Sequence, residues 1–337
     1  MTALRVIAAG PGVTVQDTGR HGFQRYGVTP AGPMDSLAHG LANALLGNPP
    51  AAAAIEVSLG GLTVQAEGGP ATVAVVGGAF DIRRNDGANL GPALRVTLTA
   101  GDRLVLRAGA AGAFATLAVA GGIAVPPVLG SRSTHARSGL GGCGGRGLQP
   151  GDLLPVGPAP MRAPADLTGL AAPDPGSGPI RVMPGPQAHR FRDDALAILA
   201  GTDWRLSPRS DRMALLLEGA CLPHAGGHDI VSDGVVMGAI QVPGDGLPRL
   251  LMADRQSTGG YPKIACVIQA DLPRLAQVRA GDPLRLALTD RAGAARARAD
   301  LRARADAWLR AAHQPRLSSG YLLATNLVSG VVDARAS

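Results

Sequence analysis

The chain has 337 residues, 46% of them hydrophobic and 17% charged, with 48 glycines, 27 prolines and a formal charge of +7. The apolar fraction is ample for packed cores, and neither a three-residue glycine period nor a sustained heptad is present, so disordered, collagen-like and coiled-coil chains are excluded. The charge does not by itself point to nucleic acid: the arginines are scattered, and only four Phe, two Trp and three Tyr are present to stack on bases.

Residues 1–15 lack a basic stretch followed by a continuous apolar one, because Gly10, Pro11 and Gly12 interrupt it. No run of about eighteen apolar residues follows. Neither a leader nor a membrane span is expected, and a cytoplasmic protein is. The first clear periodicity predicts a helix over residues 33–46, where Leu37, Leu41 and Leu45 recur on one face and Gly47 with Pro49 stops it. Short apolar runs broken by Gly, Pro, Asn or Asp then read as strands over 62–66, 71–76, 94–98, 104–107 and 114–119.

A Pro-rich stretch, residues 157–178, reads as a linker. The sequence begins again in a similar way on its far side: Arg5-Val-Ile-Ala-Ala-Gly-Pro11 precedes it and Arg181-Val-Met-Pro-Gly-Pro186 follows. A turn of the form Gly-Asp-x-Leu recurs at Gly101, Gly151 and Gly281. The fold class expected is mainly β, with two related β-barrel-like halves and a few short helices. The expected divisions are a β-rich domain over 1–158, a linker over 159–178, a second β-rich domain over 179–290 and a helical tail over 291–337. A short helix is expected over 193–199, and an Ala/Arg-rich, solvent-facing one over 294–311.

Several common chemistries are absent. The chain's single lysine, Lys263, follows a proline, so no P-loop exists. Gly139-Leu-Gly141-Gly-Cys-Gly144 has dinucleotide-loop spacing, but no helix-forming segment follows it. Cys143, Cys221 and Cys266 are far apart with no C-x-x-C pair, which argues against a disulfide framework or a zinc site, and the histidines show no ligand-spaced pair on a helix, so no metal is expected.

What remains is a series of polar, Gly-dense loops. Val15-Gln-Asp-Thr-Gly-Arg20 is the first. The second leads into the early helix and carries Asp35 into its first turn, where the carboxylate either caps the helix or does chemistry. In Gly130-Ser-Arg-Ser-Thr-His-Ala-Arg-Ser-Gly-Leu-Gly-Gly142, Arg132 and Arg137 with four hydroxyls and several glycine amides form either an anion-binding nest or an ordinary surface loop. Further loops hold Ser210-Asp-Arg-Met213 and Val242-Pro-Gly-Asp-Gly246. The richest, Ala253-Asp-Arg-Gln-Ser-Thr-Gly-Gly-Tyr-Pro-Lys263, ends in the only ammonium among thirty-one guanidinium groups. Lys263 is there either a compact point charge with a task or a solvated side chain.

In this order the loops resemble the PxpC/KipA family, also called the biotin-dependent carboxyltransferase or allophanate hydrolase subunit 2 family. The motifs that carry the resemblance are Thr14-Val-Gln-Asp-Thr-Gly-Arg-His-Gly22, Pro30-Ala-Gly-Pro-Met-Asp35, Leu41-Ala-Asn-Ala-Leu-Leu-Gly-Asn-Pro49, Ala54-Ile-Glu-Val57, Gly130-Ser-Arg-Ser-Thr134, Ser210-Asp-Arg-Met213, Ile240-Gln-Val-Pro-Gly-Asp-Gly246 and the 253–263 loop. They span about residues 5–290, and it is their concatenation that is specific.

The resemblance implies a cyclophilin-like architecture and a subunit of an ATP-dependent 5-oxoprolinase, opening 5-oxoproline to glutamate beside a homologous PxpB/KipI-like subunit and a PxpA-like subunit. ATP is then a co-substrate of the complex. Relatives imply two alternatives: the carboxyltransferase subunit of a biotin-dependent urea or amide carboxylase, with biotin supplied only by another chain, or a noncatalytic partner of a KipI-like kinase inhibitor. Activation of an amide needs donors for a developing oxyanion and a base near nitrogen. Residue chemistry on the matching loops assigns charge stabilisation to Arg132, Arg212 and Lys263, and base or orienting duty to Asp35, Asp211 and Asp254. Substrate contacts are expected from Gln16, Asp17, Arg20, Ser133, Arg137, Gln241, Gln256, Thr258 and Tyr261.

Overall fold

The computed structural model describes residues 2–159 and 165–313; the expected tail beyond 313 and the middle of the Pro-rich stretch lie outside the described residues. The chain is mainly β and forms two large sheets. In the first, the strands run from one edge to the other as Leu153–Pro155, Ala3–Ala9, Leu62–Glu67, Arg103–Val119, Ala71–Arg84, Ala93–Leu98 and Leu167–Leu170. Thr14–Gln16 pairs with Ala54–Val57, which joins the far half of Arg103–Val119. In the second, Pro283–Leu284, Trp204–Leu206, Ala214–Glu218, Arg249–Leu251, Ala239–Gln241, Lys263–Val267, Ile180–Pro184 and Leu286–Leu288 pair in that order. Each sheet encloses its own apolar cluster, one around Leu4, Ile55, Val73 and Leu106, the other around Trp204, Ile240, Leu250 and Ile264.

Two strands are longer than the sequence pattern implies. The segments expected over 104–107 and 114–119 are one strand, Arg103–Val119, and its neighbour runs from Ala71 to Arg84. The intervening glycines read as strand breakers but are bulge residues. The register shifts at Gly77 and again at Ala79, and a Cβ on Gly77 or Gly109 would lie 2.6 Å from the Phe114 carbonyl oxygen or 1.8 Å from that of Ala79. Glycine here permits close backbone approach inside a continuing ladder. Within the Pro-rich stretch, Leu167–Leu170 pairs with Ala93–Leu98 as an edge strand instead of running free.

The repeated Gly-Asp turns are one structure used three times. Gly101, Gly151 and Gly281 have φ of 92°, 93° and 85°. The following Asp102, Asp152 and Asp282 each donate their amide to the carbonyl three residues back, at 2.9, 3.1 and 3.0 Å. Each carboxylate then accepts the amide N–H of that same residue, Thr99, Gln149 or Arg279, at 2.7 to 2.8 Å. Glycine supplies the positive φ of a type II turn, and the aspartate locks it as the next strand starts.

Among the described residues four α-helices complete the fold: α1 (Ser36–Leu45), α2 (Ala195–Gly201), α3 (Leu272–Ala276) and α4 (Arg291–His313). Asp35 sits one position before α1 as its N-cap, accepting the Ala38 amide at 2.9 Å, not in the first turn as expected. Nor is α4 simply solvent-facing. Ala305, Trp308, Leu309 and Ala312 pack with Ala38, Leu41 and Leu45 of α1, and the Trp308 indole donates to the Ala171 carbonyl at 2.8 Å. Alanine between the arginines hides this face from a simple hydropathy reading.

The halves are stitched side to side. Met34, in the loop before α1, inserts into the core of the second sheet. Gln277, the C-cap of α3, donates to the Asp35 carboxylate at 2.6 Å and the Phe114 carbonyl at 2.9 Å, and accepts the Ala113 and Phe114 amides at 2.8 and 3.1 Å.

Candidate functional site

The predicted site residues fall into three groups. The first joins the Val15–Arg20 loop to the loop around Ser133. Asp17 accepts hydrogen bonds from the Ser131 hydroxyl (2.6 Å), the Arg132 amide (2.6 Å), the Ser133 hydroxyl (2.7 Å) and the Gly19 amide (2.9 Å). Burial pushes this carboxyl up, but those donors outweigh it and hold Asp17 below the usual carboxylate range. The hydroxyls and the backbone amide of this loop are thus spent on the chain's own carboxylate. The Arg132 guanidinium turns away to the Val125 carbonyl at 2.7 Å. Gln16 bridges Thr14, Thr134 and the Gly32 amide. Arg20 is 1% exposed and donates to the Ser133 carbonyl at 2.5 Å.

The second group lies where the halves meet. Arg212 donates to both oxygens of Asp254 at 2.9 and 3.0 Å, to the Gly32 carbonyl at 2.7 Å and to Glu56. Glu56, 2% exposed, reaches in from the strand Ala54–Val57 of the first half and also accepts the Met34 amide at 2.6 Å. Burial pushes the Glu56 carboxyl up, against the Arg212 charge that lowers it, while its two carboxylates hold the Arg212 guanidinium protonated despite burial. Asp35 is engaged on both oxygens, by Ala38 and Gln277, and burial pushes it up. A cavity of about 680 Å³ opens beside this group, lined by Met34, Phe114, Leu215 and Val278 with Asp211 and Arg212. Arg137 and Asp211, both well exposed, face each other across the halves at 3.7 Å.

The third group belongs to the second half. The Lys263 side chain is 3% exposed, and its ammonium pairs with Asp233 at 2.9 Å; Gln187 donates to the same carboxylate oxygen at 3.2 Å and accepts the Lys263 amide at 3.2 Å. The lone lysine is therefore not a solvated side chain. Asp233 lies on a two-residue strand that pairs with Thr258–Gly259 in a small two-stranded sheet, where Thr258 is exposed. Beside it, a cavity of about 270 Å³ is lined by Gln241, Gln256, Tyr261, Asp211, Arg209 and Arg249. Gln256 donates to the Gln241 carboxamide oxygen at 3.0 Å, and Gln241 donates to the Tyr261 carbonyl at 3.4 Å.

Sequence reasoning missed Glu56, Gln187, Asp233 and Gln277 as partners. Only Glu56 leaves a signal, a carboxylate inside the otherwise apolar strand Ala54–Val57. The other three are ordinary polar residues on a loop, a two-residue strand and a helix end. No group of three or more His, Cys, Asp or Glu that could hold a metal occurs among the described residues, and no helix among them is long and apolar enough to cross a membrane.

A family model, the carboxyltransferase domain, subdomain A and B, matches residues 26–288. The chain is similar to the C subunit of 5-oxoprolinase from Escherichia coli strain K12, at 40% identity over 88% of this chain and 94% of that protein. The corresponding 5-oxoprolinase C subunit of Haemophilus influenzae is 38% identical over 81% and 86%. The crystal structure of the K. lactis urea amidolyase superposes with a TM-score of 0.81 at 29% identity, covering 91% of this chain but 20% of that much longer one.

Proposed function

The chain belongs to the carboxyltransferase-domain family, subdomains A and B, and from that membership we propose that it serves as a subunit of an ATP-dependent 5-oxoprolinase, active only in complex with a PxpB/KipI-like and a PxpA-like subunit in the cytoplasm. The observation that carries this reading is the nearly end-to-end relationship to the 5-oxoprolinase C subunit, 94% of the relative's length, where the urea amidolyase is matched over 20%.

Opening a five-membered lactam works against proximity, because the amine and carboxyl it would release are held together at high effective concentration. ATP, as the co-substrate of the complex, supplies the driving force. This chain contributes a rigid, charge-balanced frame. Arg212 is fixed by Glu56 and Asp254 at the seam between the halves, and the Asp17 latch holds the neighbouring loops. Asp35 and Lys263 support the site by positioning backbone, through Gln277 and Asp233 respectively.

A carboxyltransferase reading draws support from the superposition on urea amidolyase. The chain's own residues do not fit a biotin carrier, since its one lysine is buried and ion-paired, so biotin would have to arrive on another chain. An omission experiment tests the main reading: purified subunits are mixed in all combinations and 5-oxoproline-dependent phosphate release is followed. Activity is expected only in the mixture that contains this chain and both partners. Full activity without this chain, or a complete mixture inert toward 5-oxoproline, would remove the reading.

A further inference from the structure

We propose that the cavity of about 680 Å³ at the seam between the halves binds an uncharged small molecule with an apolar body, whether or not the chain also serves in the turnover of 5-oxoproline.

The walls come from both halves. Met34, Leu59 and Phe114 line the cavity from the first, and Leu206, Leu215 and Val278 from the second. Met34, Leu206 and Leu215 belong to the apolar core of the second sheet and are 1%, 3% and 6% exposed. The cavity therefore reaches that core, and packing fixes this part of its wall before any ligand arrives. Leu59, on the turn after the strand Ala54–Val57, is 43% exposed, so the cavity opens to solvent there.

Charge decides the kind of ligand, because the polar side chains on the wall are committed inside the protein. Arg212 is held by Glu56, Asp254 and the Gly32 carbonyl. Arg279 donates to the Gly112 and Gly109 carbonyls at 2.8 and 3.0 Å. One oxygen of Asp211 accepts the Met213 and Ala214 amides at 2.8 and 3.1 Å, and the other faces Arg137 at 3.7 Å. The Ser58 hydroxyl donates to the Pro11 carbonyl, the Ser210 hydroxyl accepts the Leu216 amide at 2.9 Å, and the Ser207 hydroxyl is buried behind the wall. The guanidiniums of Arg137, Arg212 and Arg279 stand against the carboxylates of Glu56, Asp211 and Asp254, so these groups carry no net charge between them. An ionised ligand would leave water for a wall with no opposite charge to spare. An uncharged one gives up little and gains by covering aliphatic and aromatic surface.

Size narrows the class further. The volume falls inside the range of about 300–1,000 Å³ that drug-sized ligands occupy and is far more than one five-membered ring fills. A molecule of two or three rings, or a branched aliphatic one of similar bulk, fits it. Such a ligand touches both halves and ties them together beside Arg212.

The test titrates the full chain with N-phenyl-1-naphthylamine, an uncharged three-ring probe that fluoresces on leaving water, and with 8-anilino-1-naphthalenesulfonate, the same skeleton carrying a sulfonate. The uncharged probe should saturate at one per chain and bind about tenfold or more tighter than the sulfonate. Ala280→Trp and Leu59→Gln, both at exposed positions that line the cavity, should each weaken the uncharged probe about threefold or more without moving the urea midpoint of the free chain. The probe should raise that midpoint in the wild type and raise it less in Ala280→Trp. Equal or tighter binding of the sulfonate, several uncharged probes per chain, or wild-type affinity in both variants overturns the site. Displacement of the probe by a stoichiometric amount of a partner subunit would put a partner's apolar side chain in the cavity and overturn the small-molecule ligand.

Discussion

At the residue scale the molecule is organised by charges that have nowhere to go but to each other. Glu56 and Arg212 come from different halves and are both largely withdrawn from water, with side-chain exposures of 2% and 13%. Replacing one partner strands the other, so Arg212→Met should cost about 3–5 kcal/mol in urea unfolding. The pH dependence gives that prediction a sign. Burial already raises the Glu56 pKa in the folded state, and loss of Arg212 raises it further. A carboxyl whose folded pKa exceeds its unfolded one contributes most favourably below the unfolded value, and that contribution is lost as pH rises through the folded one. The deficit of Arg212→Met should therefore be larger near pH 7 than near about pH 5, and Glu56→Gln in the same background should remove most of that difference. A deficit independent of pH would assign the cost to lost packing. Arg212 itself is legible in the sequence as a charged residue in a polar loop, Ser207-Pro-Arg-Ser-Asp-Arg-Met213. Its partner is not, because the pairing of residues 156 positions apart depends on how two sheets are laid side by side.

At the scale of elements, local chemistry is the most readable part of the chain. The three Gly-Asp turns, the N-cap of α1 and the apolar strands all follow from short-range rules, and the recurrence of one turn is visible in the amino-acid sequence alone. Bulges are the exception. Glycine in a strand and glycine ending a strand look identical in sequence, and only the opposing carbonyl decides between them. Helix docking is also hidden, since α3 is five residues long and its importance lies in the residue that ends it. Gln277 fills four hydrogen bonds spanning both halves. Gln277→Ala leaves the Asp35 carboxylate and the Phe114 carbonyl short of a donor and should lower stability by about 2 kcal/mol or more, read from the denaturation midpoint. Asp35→Ala should cost about 0.5–2 kcal/mol through the lost cap alone. The two changes combined should cost less than their sum because they break one shared contact.

The whole molecule is a two-sheet frame whose seam is lined with fixed charges and whose second half carries a small polar cavity. The β-rich class follows from the spacing of short apolar runs. The division of labour among the polar loops does not, since Asp17, Ser133 and Gln16 look like ligand-binding residues and spend their hydrogen bonds on one another and on neighbouring loops. Gln241, Gln256 and Tyr261 stand out by their chemistry and do line one cavity; Lys263 stands out by its rarity and has its charge committed to Asp233 on the small two-stranded sheet. Family membership and the nearly full-length relatives support a 5-oxoprolinase setting, where the chain works as part of a larger assembly. The most direct test is to purify the complex containing this chain and measure glutamate and phosphate together during turnover of 5-oxoproline. The account predicts that both products form in equal amounts and that both disappear when this chain is withheld. Phosphate release without glutamate, or glutamate formation that persists in its absence, would contradict it.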